Sequence, residues 1–282
     1  MRLLRRRPVV TVVIPTWNWS SVLPWSIASV RGQTVTDLEL LVIGDGCTDD
    51  SAEVVAAARD GDRRVRWTNL PTNAGTQVVP NNEALRRARG LFIAYLGHDD
   101  LWLPTHLEHL LAAIGDDGSW AHSRWLQVDP GRPPFALHPE GWTYAPGEWL
   151  APTACLQRVT AVRAVGGWRH PRDTGSLDPE SDLSARLFER FGPPRSSPLT
   201  TALKLPAAYR PGIYTRRPDD EQRAWAAIIA EHPDPEDFLR VGLTQAATPA
   251  INADMPAILA DPVASALERH HVRRRWKGIE PT

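Results

Sequence analysis

Residues 9–18 read Val-Val-Thr-Val-Val-Ile-Pro-Thr-Trp-Asn, and this stretch decides the fold class. The first six are all β-branched, stiff at χ1 and suited to a pleated strand. Their apolar character is interrupted only by Thr11, as in a strand covered on both faces, which is the habit of parallel sheets. Pro15 then removes a ladder donor, and Pro-Thr-Trp-Asn reads as the turn that ends the strand. Outward from here the grammar repeats. Residues 20–30 carry helical apolar spacing, 38–43 form a second strand ending at Gly44-Asp45-Gly46, and Thr48 or Asp49 can cap a helix over 51–59. Residues 65–68 are a short strand, 82–89 a helix stopped by Gly90, and 91–96 a further strand. Strand and helix in alternation predict an α/β fold, a mainly parallel sheet with helices on both faces. Ligands of such sheets bind beyond the carboxyl ends of the strands.

The 282 residues suffice for one large α/β domain or two small ones. Against 33 Asp plus Glu stand 32 Lys plus Arg, a net charge of -1, without the basic excess that a nucleic-acid partner demands. Cys47 and Cys155 make neither a disulfide framework nor a zinc pattern, and point to a reducing cytoplasm. Arg2, Arg5, Arg6 and Arg7 resemble the start of a signal peptide, but the apolar run behind them is too short to complete one. No stretch reaches the roughly 18 apolar residues of a membrane span. A helix is expected over 219–230, opened by Pro218, and a last one over 256–277 ending in Arg269, Arg273, Arg274, Arg275 and Lys277. Both basic clusters read as solvated; the lesser alternatives are contact with an anionic membrane surface for either, and an anionic acceptor or a partner chain for the second.

Three strand ends carry the chemistry: Pro15-Thr16-Trp17-Asn18, then Asp45-Gly46-Cys47-Thr48-Asp49-Asp50, then Gly97-His98-Asp99-Asp100-Leu101-Trp102. Each alone suits a plain turn. All three project to one rim, and that convergence points to a site. Asp99 and Asp100 repel each other unless a cation or donors compensate them. Carboxylate oxygens suit a hard divalent ion, Mn²⁺ or Mg²⁺, which keeps positions for phosphate oxygens. The plainer account has one of the pair capping the helix near Pro104, and His98 serving as a hydrogen-bonding neighbour.

These motifs, in this order, resemble family 2 glycosyltransferases of the GT-A fold. Residues 12–18 are similar to the family's first strand and nucleotide loop, and residues 44–49 to its acidic uridine-side turn. Asn73-Ala74-Gly75, Asn82 and Ala88-Arg89-Gly90 resemble the segment before its D-x-D motif. Residues 95–104 resemble that motif with its following helix, and Gly166-Gly167-Trp168 the loop preceding the base. The resemblance is good over 9–115, patchy to about 205 and absent beyond. It implies a nucleotide-sugar-binding half, 1–115, an acceptor-binding half of the same GT-A domain, 116–210, and a C-terminal helical extension, 211–282. It implies donor contacts from Pro15, Thr16, Trp17, Asn18, Asp45, Asn73, Gly75, Asn82, His98, Asp99, Asp100 and Trp168. The metal falls to Asp99, with Asp100 supporting it or holding donor hydroxyls. Aligned on Asp182-Leu183, the family pattern gives Glu180 the base position, with Asp182 the competing choice; both also favour a helix N-terminus without any catalytic role.

The implied reaction is metal-dependent, inverting transfer of a sugar from a nucleoside-diphosphate sugar to the hydroxyl of a small-molecule or glycan acceptor. Gly97 stands where the first Asp of D-x-D is usual, and Gly44 where the turn commonly has Asp. These departures keep open a weakened, scaffold-like protein of the same fold. A nucleotidyltransferase is the other alternative, although residues 15–18 are not its Gly-rich phosphate loop. On the acceptor side, Trp120, Trp125, Trp142 and Trp149 lie among Pro and Gly. They offer faces for a flat acceptor or anchor loops to the core, and the sequence leaves the two accounts level.

Overall fold

The computed structural model describes residues 7–245 apart from 139–140, 208–209 and 211. In chain order its strands are β1 (Val10–Thr16), β2 (Leu38–Gly44), β3 (Val65–Asn69), β4 (Phe92–Tyr95), β5 (Leu101–Trp102), β6 (Trp120–Gln127), β7 (Phe135–Leu137), β8 (Cys155–Arg158) and β9 (Arg195–Lys204). The helices are α1 (Leu23–Arg31), α2 (Ser51–Gly61), α3 (Val78–Arg87), α4 (His106–Ile114), α5 (Val159–Ala164), α6 (Pro179–Phe191), α7 (Ile213–Arg216), α8 (Asp220–Glu231) and α9 (Pro235–Gly242). They build a mixed, mainly parallel sheet ordered β3-β2-β1-β4-β8-β6-β9-β5, with β7 on β6.

β1 lies between two parallel neighbours, paired from Val10↔Leu38 to Thr16↔Gly44 on one side and from Val10↔Phe92 to Val13↔Tyr95 on the other. Val10, Val12, Val13 and Ile14 are fully buried, as the unbroken apolar run predicts. The register sets Thr16, Gly44 and Asn69 side by side at one rim. Antiparallel β8 then joins β4 to β6, and β9 runs parallel to β6.

Two helix starts differ from the sequence reading. α3 begins at Val78, four residues early, because Pro80 falls in its first turn, where a missing N–H breaks no helical bond. The capping position of α2 is Asp50, without a side-chain bond, although Asp49 Oδ1 does accept from Ser51 N at 3.3 Å. The capping role considered for Asp99 or Asp100 is not taken up, since Thr105 precedes α4 and makes no side-chain cap.

Trp225, Ile229 and Phe238 join Leu101, Leu103, Leu126, Val128, Leu203 and Leu205 in a second apolar cluster, which packs α8 and α9 against the β6–β9–β5 end of the sheet. The expected helix over 256–277 with its basic run, and Arg2, Arg5 and Arg6, lie outside the described residues. Among the described residues no helix is long and apolar enough to cross a membrane.

Candidate active site

The rim loops are tied to one another by their own polar groups. Asn18, in the left-handed region at φ 45°, accepts from Thr48 N at 2.7 Å and donates to Thr48 Oγ1 at 3.2 Å. Asp45 N donates to Thr16 O at 2.8 Å, while Asp45 Oδ1 accepts from Ala74 N at 3.0 Å and Asp45 O from Asn73 Nδ2 at 3.0 Å. Gly46, at φ 70°, lies against the main chain of Thr72 and Asn73, where a Cβ would approach within 2.6 Å. Gly75 N donates to Asn73 Oδ1 at 2.7 Å. Thr16 Oγ1 pairs with His98 Nδ1 at 2.9 Å and brings the Asp99 loop to the same place. Pro15 is half-buried and lies within β1, which runs on to Thr16, so the strand outlasts the turn start expected from the sequence. The pairing of Pro15 with Ile43 tolerates the missing N–H.

The neighbouring aspartates have different surroundings. Asp99 is buried, and its Oδ2 accepts from Ala207 N at 3.1 Å. Among the described residues nothing hydrogen-bonds its Oδ1. Asp100 is engaged on both oxygens: Lys204 Nζ lies at 3.1 and 2.9 Å, Leu205 N donates to Oδ1 at 3.0 Å, and Thr153 Oγ1 donates to Oδ2 at 2.7 Å. Among the described residues no group of three or more His, Cys, Asp or Glu could hold an ion by itself.

Glu180 and Asp182 differ in the same way. Both are buried in the first turn of α6, which Asp178 caps by accepting from Ser181 N at 2.8 Å. Glu180 Oε1 accepts from Gln77, the residue that precedes α3. Asp182 Oδ2 receives Arg186 Nε at 2.9 Å and Nη2 at 2.6 Å, and Arg169 lies 3.7 Å from Oδ1. Arg186 also donates to the carbonyls of Val165 and Gly167.

Asn82 and Trp168, grouped by sequence with the donor residues, are brought to each other. Trp168 N donates to Asn82 Oδ1 at 3.0 Å, and Asn82 Nδ2 to Trp168 O at 2.8 Å. The indole of Trp168 is buried, edge-on to Tyr95 at 5.0 Å. They form a joint between α3 and the turn that leads toward α6.

The chain matches the model described as Glycosyl transferase family 2 over residues 11–151. It belongs to that family. It is 34% identical over 104 residues to a glycosyltransferase of Haemophilus influenzae that is itself uncharacterized, covering 37% of this chain and 41% of that one. It is 34% identical over 118 residues to the chondroitin synthase of Escherichia coli, covering 42% of this chain and 17% of that one. These matches therefore span well under half of either relative. Among solved structures, the mannosyltransferase PcManGT of Pyrobaculum calidifontis, in complex with GDP-Man and Mn²⁺, superposes with a TM-score of 0.56 at 16% identity, over 98% of this chain and 84% of that one. TarS of S. aureus gives a TM-score of 0.52 at 21% identity, over 71% and 37%. Both likenesses concern the fold, which is GT-A.

The family 2 match takes in the rim loops and both aspartates, and ends before α6. At Gly97 and Gly44, where the resemblance departs from the usual aspartates, an added side chain would meet close neighbours. A Cβ at Gly97 would fall 2.6 Å from Asp100 Oδ2 and 3.0 Å from Asp99 Oδ1. One at Gly44 would fall 2.4 Å from Asn69 Oδ1 and 2.5 Å from the Trp67 ring.

Several residues at this site escaped the sequence reading. Lys204 and Thr153 stand 104 and 53 positions from Asp100, and no motif marks either. Tyr214, on α7, lies 5.6 Å from Trp17, 5.4 Å from Trp19 and 6.1 Å from His98, ring centre to ring centre. Trp19 Nε1 donates to Pro218 O and Gln222 Nε2 to Asp99 O, so Tyr214, Pro218 and Gln222 lie against the rim. Of the four tryptophans considered for an acceptor, Trp120 and Trp125 are core residues, while half-buried Trp142 and Trp149 pack against that core. His138 stacks on Trp142 at 3.6 Å.

Proposed function

We propose that this chain moves a sugar from a nucleoside-diphosphate sugar to an acceptor hydroxyl with inversion, using Mn²⁺ or Mg²⁺ held by Asp99. The observation that carries the reading is the Asp99 carboxylate at the meeting of three strand-end loops, one oxygen fixed by Ala207 and the other without a hydrogen bond among the described residues. Such a site suits an ion that takes one or two carboxylates from protein and the rest of its shell from phosphates and water. Asp100 is left out of the metal's shell, because Lys204, Thr153 and Leu205 already use its oxygens. When bound, the ion supplies Lewis-acid stabilisation of the departing diphosphate.

The chain's own groups account for the remaining steps. Loops at Thr16, Asp45 and 73–75 hold the nucleotide, and Trp17 offers an aromatic face for its base. Glu180, oriented by Gln77, accepts the proton of the acceptor hydroxyl. The acceptor oxygen bonds to the anomeric carbon as the bond to the diphosphate breaks, its electron pair leaving with the diphosphate. One in-line displacement inverts the anomeric centre. Asp182, locked to Arg186, is assigned the positioning of α6 and not the proton transfer.

The test is a panel of UDP-, GDP- and TDP-sugars, preceded by calorimetric titration of the nucleoside diphosphates with and without Mn²⁺. Binding should depend strongly on the ion and should be lost in Asp99→Asn. Glu180→Gln should bind donor normally and slow transfer by roughly 10²–10⁴-fold, the usual worth of a placed base. An Asp99→Asn protein that transfers sugar at the native rate without divalent ion would overturn the reading.

A further inference from the structure

We infer that Trp67, which shares the space beside Gly44 with Asn69, forms a wall of the nucleobase site and limits the size of the base it accepts. This rests on the donor-site reading above and deepens it. Gly44 closes β2 beside Asp45, and its φ is not in the left-handed range, so backbone conformation makes no demand for glycine. Packing does make that demand. A Cβ there would meet Asn69 Oδ1 at 2.4 Å and two carbons of the Trp67 six-membered ring at 2.5 and 3.0 Å.

Neither neighbour is loose. Asn69 Oδ1 accepts from Cys47 N at 2.9 Å and Asn69 Nδ2 donates to Cys47 O at 2.8 Å, so the amide spans the turn from both sides. Trp67 is half-buried and packs against the main core. In register it lies opposite Val42, two residues before Asn69 comes opposite Gly44. Its ring therefore leans along the strand direction to Gly44, the last residue of β2 and the neighbour of Asp45. The volume of a side chain at position 44 is exchanged for an indole edge on β3. A flat apolar edge beside the acidic turn sets how deep a base can go, because a rigid ring cannot yield to a larger one.

The test titrates the full-length protein with UDP, TDP, GDP and ADP, each with Mn²⁺, for the native chain, Trp67→Ala and Trp67→Phe. Trp67→Ala should move the ratio of affinities toward the purine nucleotides by about tenfold or more, as expected when a pocket wall is cut back, and Trp67→Phe should lie between. The requirement for Mn²⁺ should not change. Should the alanine protein fail to fold, Trp67→Phe and Trp67→Leu carry the same comparison. An unchanged ratio, or a shift toward the pyrimidines, overturns the inference while leaving the donor-site reading standing. A native protein that binds no nucleoside diphosphate overturns both.

Discussion

Asp99 and Asp100 are neighbours in sequence and opposites in circumstance. Asp100 is buried against Lys204, itself largely buried, and removing one member of such a pair leaves the other without compensation. Asp100→Asn should therefore cost about 3–5 kcal/mol of folding stability, whereas Asp99→Asn should cost less than about 1 kcal/mol, both read by chemical denaturation. Equal losses would contradict the division of labour drawn between them. A second residue-scale effect concerns pH. Burial, with the charge of His109 adding to it, drives His106 from 6.5 down to about 3. The unfolded chain takes up this proton near pH 6.5 and the folded chain only near pH 3, so the contribution is whole above pH 6.5 and fades as pH falls. Between pH 7 and pH 5 the loss is about 2 kcal/mol. The stability difference between those two pH values should shrink by about that amount in His106→Gln, a comparison that cancels the other titrating groups. At this scale the sequence was informative about residue type and silent about partners. The Asp99-Asp100 pair was legible as chemistry, but Lys204 reaches it only through the placing of β9.

At the scale of elements, β1, β2 and β4 were readable because each is a short, mainly apolar run closed by a turn; β3, with Arg66, Thr68 and Asn69, carries a weaker signal. α6 was legible only through the resemblance, which sets the base at a helix start after the Gly166-Gly167-Trp168 loop; the structure adds Asp178 as its cap. The joint between α3 and the turn that leads toward α6 was not, since it is one amide, Asn82, meeting the main chain of Trp168 across 86 positions. Gly167 bears on that joint. Its φ is 71°, and a Cβ there would come within 2.7 Å of Asn82 Oδ1. Gly167→Ala should then destabilise by more than about 1 kcal/mol, through strain and through loss of the Asn82 clamp. Gly166→Ala, at φ 84° with nothing within 4 Å of its Cβ, should show the strain alone. Denaturation midpoints of the two variants would separate these contributions, and identical midpoints would mean that the clamp adds nothing.

Over the whole molecule, the sequence was least informative beyond residue 210, where no motif is present and pattern alone had to serve. Helical spacing offered two pairs, Ala224 with Ile228 and Trp225 with Ile229, and did not choose between them; only the second pair is buried in α8. The spacing gave no sign that residues 207, 214, 218 and 222 would reach back to the rim. Those contacts depend on where the chain emerges from β9, a property of topology that no local window holds.

Consider last the distance along the chain from Asp100 to its counter-charge. During synthesis the first parallel strands leave the ribosome well before Lys204 exists, and until then a carboxylate destined for the interior has no ammonium to meet. The fragment 1–151, despite carrying every residue of the recognised family segment, should consequently lack a cooperative thermal transition, which differential scanning calorimetry would reveal.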